Sequence, residues 1–312
     1  YPLAHISSDI TLDLNGKKIY YDDNSYRDVE LKCTPLFFSV EGGAEVTIKG
    51  NGTIDTECGN NNSYGVDIVG NSSVIVENGT FTGATSAFQV EAGQLTIYDG
   101  TFMQAETIGT EAPNYAKYVI NCIDASFANG TARIYALGGT YCFDPSDKPE
   151  NSETTYVPEG YTATKNNNGT YTVAFSGEAI AEINGKSFSS LEVAAEVAQN
   201  GDTITMVNDA QLSSAITIDK AITLDLNRQT ITATGISNNA NPIQVLKQGE
   251  LTIDDSAGQG AIEATTPLSV EGGSLILENG KISVKNTTNG YGIYVSENGS
   301  VTVNGKSEAK RS

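Results

Sequence analysis

Residues 10–16 read ITLDLNG, and the chain repeats them almost unchanged as ITLDLNR at positions 222–228. In both copies apolar and polar residues alternate, which gives a β-strand one apolar face and one polar face. Each copy is followed by three more strand cores with the same alternation. The eight cores, in chain order, are LDLN (12–15), VTIK (46–49), VIVE (74–77), LTIY (95–98), LDLN (224–227), LTID (251–254), LILE (275–278) and VTVN (301–304).

The polar side of these cores repeats as well. With the eight cores aligned, the residue between the two inward apolar positions is Asp, Thr, Ile and Thr in the first half and again in the second. A hydrophobic core constrains only the inward positions, so agreement on the solvent side indicates a tandem duplication of a repeat array. The aligned residues are Asp13, Thr47, Ile75 and Thr96, and then Asp225, Thr252, Ile276 and Thr302.

The segments between the cores are also strand-like. FFSVE (37–41) is followed by Gly42-Gly43 and then by the core at 46–49. The cores at 46–49, 74–77 and 95–98 start 28 and then 21 residues apart, and short strands at such a period fit a parallel β-helix, an all-β solenoid. Each strand then pairs with its equivalent one rung away, at ~4.8 Å. An antiparallel sandwich is the alternative, but it requires hairpin partners, whereas the similar segments lie a full rung apart.

The doubling divides the chain into two arrays with a joining segment. We predict a first β-helix array at 1–142, a closing hairpin and linker at 143–178 with the hairpin turn around 166–169, and a second array at 179–312. Ser189-Ser-Leu-Glu192 matches a capping box and opens the amphipathic segment LEVAAEVAQ, which predicts a short lid helix before the second array. The first array has no such helix before Ile10 and the second has no closing segment, so we expect a monomeric fragment of a larger protein.

Composition excludes several classes of partner. Among the 312 residues, 18 Lys and Arg face 38 Asp and Glu, for a net charge of -20. This charge argues against binding to nucleic acid or to an anionic membrane. No apolar run approaches the roughly 18 residues that a membrane span requires, so we expect no membrane insertion. The only histidine, His5, lies near the start of the chain and is expected to be solvated.

The four cysteines all lie in the first half, and none forms a C-x-x-C motif. The first two are 25 residues apart and the last two are 20 residues apart, close to one repeat, so each pair could lie on neighbouring rungs. Sequence alone leaves open whether they form disulfides or are buried thiols, and it leaves three possible pairings. The residues are Cys33, Cys58, Cys122 and Cys142.

The sequence favours a non-catalytic protein. A glycosidase needs two carboxylates about 5 to 9.5 Å apart, and a lyase needs a base to remove a proton. Two outward rows follow from the alternation, one with Ser39, Asp67 and Gln89 and a second that includes Glu41 and Glu91. Glu41 and Glu91 lie two rungs apart, about 10 Å by strand spacing, which is beyond that range. A polysaccharide lyase or glycoside hydrolase is kept as an alternative.

The sequence predicts no cofactor and no metal site. Asp22-Asp23 and Asp254-Asp255 are pairs of acids that could hold calcium, but neither has the spacing of an EF-hand or of a calcium-binding β-helix repeat. We therefore favour ordinary solvated turn acids at both places.

Two segments of the first half break the repeat period, Lys17–Leu36 and Met103–Tyr118. Insertions in solenoids emerge as loops on one face and often bind partners. Both are rich in tyrosine, which offers a large contact area at a small entropic cost. We predict a protein-binding surface here; the alternative is that the tyrosines pack their own loops against the solenoid. Its candidate residues are Tyr20, Tyr21, Tyr26, Arg27, Tyr115 and Tyr118.

Four segments together resemble a known family: ITLDLNG (10–16), GGTYCFDPS (138–146), TYVPEGYTATKNNNGTYTV (155–173) and AEINGKSFSSLEVAAEVAQNGDTITMVNDAQL (181–212). They resemble the repeating modules of large pectate-lyase-like β-helix surface proteins of gut Firmicutes, and the resemblance covers nearly the whole chain. It implies a right-handed parallel β-helix, secretion and cell-wall attachment, and an adhesin-like role. Capture of host proteins, immunoglobulin included, is a role that the resemblance suggests.

Fold alone does not settle activity, because β-helix proteins also include polysaccharide lyases and hydrolases. The leading expectation is an extracellular binding protein that engages a host protein. The alternatives are a carbohydrate-binding or carbohydrate-active protein, and a spacer that projects another domain.

Overall fold

The computed structural model of the chain describes residues 2–20, 36–56, 64–83, 86–104, 119–147, 155–233, 236, 241–285, 290–305 and 308–311. This described part of the chain is nearly all β-structure, with two short helices. The chain separates into two compact units, Tyr1–Ser176 and Gly177–Ser312.

In its described residues the first unit contains three sheets whose successive rungs pair in parallel, because each turn of the chain adds one strand to every sheet. Sheet A contains β1 (Pro2–Ile6), β4 (Leu36–Val40), β7 (Tyr64–Ile68), β10 (Ser86–Val90) and β13 (Ile120–Cys122). Sheet B contains β2 (Ile10–Asp13), β5 (Glu45–Lys49), β8 (Ser72–Val76), β11 (Gly93–Ile97) and β14 (Ala132–Ala136). Sheet C begins with β3 (Lys18–Tyr20), β6 (Thr53–Asp55), β9 (Thr80–Gly83), β12 (Thr101–Gln104) and β15 (Thr140–Tyr141).

The core of the first unit is built from side chains stacked rung upon rung. On sheet B, Val74 pairs with Val46 on one side and with Leu95 on the other, and all three are buried. On sheet C, the ring of Phe102 lies between Phe81 and Tyr141, with centroids 5.2 and 4.9 Å away. A single rung cannot cover its own apolar face, so this stacking is what makes the array stable.

The strand register corrects the predicted alignment in its first rung. Thr11, not Asp13, pairs with Thr47, and Asp13 pairs with Lys49. The same shift of two residues occurs in the second unit, where Thr223 pairs with Thr252. A shift of two residues keeps every side chain on its predicted face of the sheet. The predicted inward and outward residues, and the predicted duplication, are therefore unchanged.

Asp13 instead shapes the turn that ends the first strand of sheet B. Its Oδ1 accepts a hydrogen bond of 2.9 Å from the backbone N–H of Asn15, which has φ of 45°. In the second copy Asp225 does the same for Asn227, again at 2.9 Å and with φ of 44°. Asp and Asn readily form such turns. Both copies therefore keep Asp and Asn because they build the corner, not because they face the next rung.

A hairpin covers the last rung of sheet C. It consists of β16 (Tyr161–Lys165) and β17 (Tyr171–Phe175), and β17 pairs with β15 in the antiparallel direction. The predicted hairpin around residues 166–169 is confirmed. An antiparallel strand covers the edge that another parallel rung would otherwise occupy.

A helix, α1 (Asp124–Asn129), follows sheet A in the last rung and was not predicted. It has only six residues and no buried side chain, so it carries no apolar stripe that sequence periodicity could reveal. Arg133 holds its end by donating a 2.6 Å hydrogen bond from its guanidinium to the carbonyl of Phe127.

The second unit repeats the three-sheet plan. Sheet D contains β18 (Ala181–Ile183), β19 (Lys186–Phe188), β20 (Thr203–Met206), β23 (Ala221–Asp225), β26 (Glu250–Asp254), β29 (Ser274–Leu277) and β32 (Ser300–Val303). Sheet E contains β21 (Ala210–Leu212), β24 (Thr230–Ala233), β27 (Ala261–Ala264), β30 (Lys281–Val284) and β33 (Glu308–Arg311). Sheet F contains β22 (Ile216–Ile218), β25 (Ile243–Leu246), β28 (Leu268–Glu271) and β31 (Ile293–Ser296).

The predicted lid helix is present as α2 (Leu191–Val197), but its cap differs from the predicted box. Ser190, not Ser189, is the N-cap and accepts a 3.3 Å hydrogen bond from the backbone N–H of Val193. Glu192 reaches forward to the backbone N–H of Ser213, 2.9 Å away, and so joins the helix to the loop that follows β21. The capping-box prediction was therefore wrong in its register by one residue.

The parallel pairing of successive rungs confirms a parallel β-solenoid and rules out the antiparallel sandwich. The right-handed winding stays a prediction. Neither helix in the described ranges is long and apolar enough to cross a membrane.

Candidate functional site

Of the predicted protein-binding surface, the structure describes only Tyr20. Its side chain is 60% exposed on β3, the first strand of sheet C. The ammonium of Lys18 lies 5.2 Å from the ring centroid of Tyr20 and 2.7 Å from Oδ2 of Asp55. The remaining candidates lie outside the described residues, so the surface as a whole stays a prediction; they are Tyr21, Tyr26, Arg27, Tyr115 and Tyr118.

The second unit carries an exposed aromatic pair that was not predicted from the sequence. Tyr291 and Tyr294 are 50% and 45% exposed, and their ring centroids lie 5.6 Å apart. The register aligns Ile293 and Val295 with the inward residues of β28 and so places Tyr294 on the outward face of β31. Val295 is itself 45% exposed, because β31 is the last strand of sheet F in the described residues. The signal was available in the segment NGYGIY (289–294), where two tyrosines three residues apart follow Asn-Gly.

A second unusual feature is a row of polar side chains on the outward face of sheet A. The register places Ser39, Asp67, Gln89 and Asn121 in one line across four successive rungs. We call these four residues the sheet A polar row. Ser39 and Gln89 are only 6% and 7% exposed, although they face away from the core. Outward polar residues of a solenoid are ordinarily solvated, so this wall is more enclosed than the alternation alone predicts.

Hydrogen bonding within the row is incomplete. The amide of Asn121 donates to Oε1 of Gln89 at 2.9 Å. Oδ1 of Asp67 and Oδ1 of Asn121 are both buried, and neither accepts a hydrogen bond within the described part of the chain. Most buried side-chain polar atoms in folded proteins have a partner. The row therefore contains two enclosed acceptor atoms that have no donor among the described residues.

Asp67 has an altered acidity. Burial raises the pKa of its carboxyl from the usual 3.8 to about 7, and the negative charge of Glu91 adds to the increase. Glu91 follows Val90, which pairs with Ile68, so it lies one rung on and diagonal to Asp67. In the sequence, Glu91 was placed in the same outward row as Glu41, and Asp67 in the other row. The row assignment therefore did not show that Glu91 and Asp67 are diagonal neighbours.

Beside the row, Glu41 is engaged by two neighbours. Its Oε1 lies 3.2 Å from Nδ1 of His5, and its Oε2 accepts a 3.4 Å hydrogen bond from the hydroxyl of Ser39. The side chain of His5 is 56% exposed, as expected for a solvated residue, but it has this specific partner.

Of the two acidic pairs considered for calcium, the structure describes Asp254-Asp255, and both side chains accept hydrogen bonds from other residues of the protein. Asp255 is 6% exposed, and its two oxygens accept hydrogen bonds from the N–H groups of Arg228 and Gly260. Asp254 accepts from the amide of Asn279 at 2.7 Å. Asp22-Asp23 lies outside the described residues. Within the described ranges, no group of three or more His, Cys, Asp or Glu side chains is placed to hold a metal ion.

The described cysteines occupy different sheets. Cys122 ends β13 in sheet A, where its backbone N–H donates to the hydroxyl of Tyr156 at 3.2 Å. Cys142 follows β15 in sheet C; its thiol is free, and burial raises the pKa of that thiol. Cys122 and Cys142 do not form a disulfide with each other, and Cys33 and Cys58 lie outside the described residues, so a disulfide between those two stays a prediction.

Comparisons with protein families, with curated proteins and with solved structures found no match to this chain. The likeness to β-helix surface proteins therefore stays a resemblance of motifs, and the strand pairing alone establishes the parallel solenoid.

Proposed function

We propose that this chain is a non-catalytic, adhesin-like binding module, secreted or attached to a bacterial cell wall, that engages a host protein. The observation that carries the proposal is the exposed tyrosine pair of Tyr291 and Tyr294 on the outer wall of the second unit. Exposed aromatic side chains are the usual anchors of protein interfaces, because each brings a large contact area and a hydroxyl for the rim.

The placement of the pair suits a flat protein surface. Tyr294 stands on a strand, so the backbone ladder of sheet F fixes its position before any partner binds. Tyr291 leans against it with ring planes 33° apart, which leaves a face of each ring accessible. An anchor that is already ordered loses little conformational entropy on binding. Tyr20 offers a comparable exposed ring on the first unit.

The charge of the chain favours particular partners. A net charge of -20 repels nucleic acid and anionic glycans and attracts proteins with basic surfaces. Immunoglobulin is our first candidate, because the sequence motifs resemble those of surface proteins for which such capture is suggested.

The test is a pull-down from host secretions with the immobilised chain, followed by a binding titration with purified immunoglobulin. The double variant Tyr291→Ser/Tyr294→Ser should lose at least tenfold in affinity, since about two interface anchors are removed. Tyr20→Ser tests the first unit separately. Leu3→Ser is the control, because Leu3 is an exposed apolar residue distant in sequence from both tyrosine sites, with 68% of its surface accessible.

Capture of a host protein that the double variant abolishes would support the proposal. Capture lost only in Tyr20→Ser would move the interface to the first unit, as the sequence predicts. If no host protein is retained by the unmodified chain, the module is a spacer or a glycan binder and the proposal is wrong.

A further inference from the structure

We propose that copies of this chain associate end to end, with the last rung of the second unit in one copy pairing with the first rung of the first unit in the next. The partner is a second copy, and the contact is parallel strand addition at exposed sheet edges. The sequence led us to expect a monomer, so this inference departs from it. It does not rest on the protein-binding role proposed above, because it uses the inward-facing residues of the two rungs.

Exposed large apolar side chains are concentrated on these two rungs. Within the described residues, Ile123 is the one such side chain that lies elsewhere. Apolar exposure confined to particular places marks interaction surfaces, whereas scattered exposure is ordinary. The first rung carries Leu3, Ile10 and Tyr20, and the last rung carries Tyr291, Tyr294, Val295 and Val303.

The exposure arises because inward rows of the core reach the end of a sheet and are left open there. In sheet D, Val303 pairs with Leu277; Leu277 is 1% exposed and Val303 is 59% exposed. In sheet B, Ile10 pairs with Val46; Val46 is 1% exposed and Ile10 is 40% exposed. Each of these residues would be buried by one further rung of the same kind.

The opposite end of each unit is covered by the chain itself. In the first unit the hairpin of β16 and β17 closes sheet C, and Tyr141 beside it is fully buried. In the second unit β18 pairs with β20, and α2 packs against β22. Ile204 and Ile218 on that first rung are accordingly buried. Within the described residues, each unit thus has one covered end and one open end.

The internal duplication indicates which strand fits the open edge of β2. The sequence ITLD of β2 recurs in β23, and β23 has parallel partners on both sides, β20 and β26. β20 reads TITM and β32 reads SVTV, so both present a hydroxyl residue, a β-branched aliphatic residue, Thr and an apolar residue in the same order. β32 of a second copy can therefore take the place against β2 that β20 takes against β23.

The pairing of β20 with β23 also predicts the register between copies. Ile204 pairs with Leu224, and the equivalent pair is Val301 of one copy with Leu12 of the next. Val301 and Leu12 are both aliphatic and only partly buried, so this pairing covers apolar surface on both copies. The strands also occur in a matching order, since β31, β32 and β33 follow one another as β1, β2 and β3 do.

Asn15 adds a polar contact to this register. In the second unit the side-chain amide of Asn227 donates a 2.9 Å hydrogen bond to the carbonyl of Met206. Asn15 is the counterpart of Asn227 and is exposed. In the predicted register it lies where it can donate to the carbonyl of Val303 in the neighbouring copy.

Charge does not oppose the contact. The net charge of -20 tends to keep copies apart, but residues 2–20 contain two acids and two lysines, and residues 291–311 contain two acids and three basic residues. The formal charges of the two rungs are therefore 0 and +1. The repelling charge lies on other residues, and salt at physiological strength screens exposed charges beyond about 8 Å.

Sedimentation velocity of the unmodified chain from about 1 to 200 μM should show an average mass that rises with concentration. Ile10→Lys and Val303→Lys should each lower the association constant about tenfold or more, because each places a charge within the strand contact. Ile123→Lys is the matched control, since it makes the same change at an exposed apolar residue outside both rungs, and it should leave association unchanged.

A mixture of the two lysine variants tests the polarity of the contact. Each variant keeps one intact end, so an equimolar mixture of Ile10→Lys and Val303→Lys should form dimers and nothing larger. The unmodified chain has both ends and should continue to larger assemblies, as a head-to-tail contact allows.

A further measurement uses only the unmodified chain, in case a lysine variant does not fold. Hydrogen exchange of amides in β2 and β32 should be slower at about 200 μM than at about 1 μM, while exchange in β8 and β26 stays the same. A chain that remains monomeric throughout would show that the open ends take a different partner, and the proposal would be wrong. It would also be overturned by a mixture that stays monomeric, or by a loss of association in Ile123→Lys equal to that in the other variants.

Discussion

Phe102 stacks on Tyr141 with ring centroids 4.9 Å apart and ring planes inclined by only 9°. Both rings are fully buried, and the hydroxyl of Tyr141 donates a 2.7 Å hydrogen bond to the carbonyl of Gly138. The pair lies on the last two parallel rungs of sheet C, directly below the closing hairpin. The first unit therefore ends on a stacked aromatic layer.

This stack predicts a large effect of truncation. Phe102→Ala should lower the free energy of unfolding of the first unit by about 3–5 kcal/mol, because it removes a buried ring and leaves a cavity between Phe81 and Tyr141. Urea denaturation followed by tyrosine fluorescence measures the change. Tyr20→Ala removes an exposed ring and should change stability by less than about 0.5 kcal/mol. Equal losses in the two variants would contradict the assigned packing.

A glycine comparison tests the register of sheet B. A Cβ at Gly93 would lie 2.0 Å from the carbonyl oxygen of Ser72, and Gly93 also has φ of 129°. Gly43 has φ of 80°, but a Cβ at this position would have no atom within 4 Å. Gly93→Ala should therefore cost about 2–4 kcal/mol, and Gly43→Ala about 1 kcal/mol. Thermal unfolding of both variants tests this order, which would be reversed or absent if the rungs paired differently.

The hydrogen bonds of Glu192 predict that this side chain stabilises the folded chain to an extent that depends on pH. Burial alone would raise its pKa, but hydrogen bonds from the backbone of Ser213 and Ser214 and from Ser190 lower it below the usual 4.5. The folded pKa lies below the unfolded one, so the contribution is present above about pH 4.5 and is lost as the pH falls through the folded pKa.

Glu192→Gln should therefore lower stability by roughly 0.5–1 kcal/mol at pH 7, after allowance for solvent screening, and by clearly less at pH 3. Urea denaturation at the two pH values measures this. Glu250→Gln, at an exposed position on β26, is the matched control and should show little change at either pH. A penalty for Glu192→Gln that does not depend on pH would show that the carboxylate charge has no role in the cap.

The raised pKa of Asp67 predicts that its effect on stability has the opposite dependence on pH. Its folded pKa of about 7 lies above the usual 3.8, so the folded state binds the proton more tightly than the unfolded chain. The charged form therefore destabilises the protein. This penalty is absent below about pH 3.8, grows as the pH rises, and is complete above about pH 7.

Asp67→Asn should thus stabilise the chain at pH 8, by an amount on the order of 1 kcal/mol after allowance for solvent screening, and much less at pH 4. Denaturation curves at both pH values give the difference. Glu77→Gln serves as the control, because Glu77 is exposed just after β8 in the neighbouring sheet B. A stabilisation of equal size at pH 4 and pH 8 would mean that Asp67 is not a buried titrating group.

Much of the fold could be predicted because a solenoid repeats its local rules. The alternation in ITLDLN fixed which residues face the core, and the return of that motif at 222–227 fixed the doubling. The register was harder to predict. A shift of two residues preserves every face, so Leu12 could be aligned with Val46 although the structure pairs it with Ile48.

The candidate sites were harder still to predict. Two exposed tyrosines three residues apart, Tyr291 and Tyr294, are visible in the sequence, but their exposure depends on what covers each rung. The same holds for Asp67, whose raised pKa arises from burial and from the charge of Glu91 on the next rung. Glu91 is distant from Asp67 in the chain and becomes its neighbour only when the rungs stack.

The sequence by itself determined which residues of each strand face the core, because the side-chain period of two follows from local backbone geometry, and its internal repetition indicated two arrays. The parallel pairing of the rungs is seen only in the tertiary structure. Only the tertiary structure decided which outward residues are enclosed. Ile75 is 4% exposed on its wall, whereas Ile276, its equivalent in the second copy, is only partly buried. The physical reason is that burial, unlike the alternation of side chains along a strand, depends on atoms that residues far apart in the chain bring to the same place.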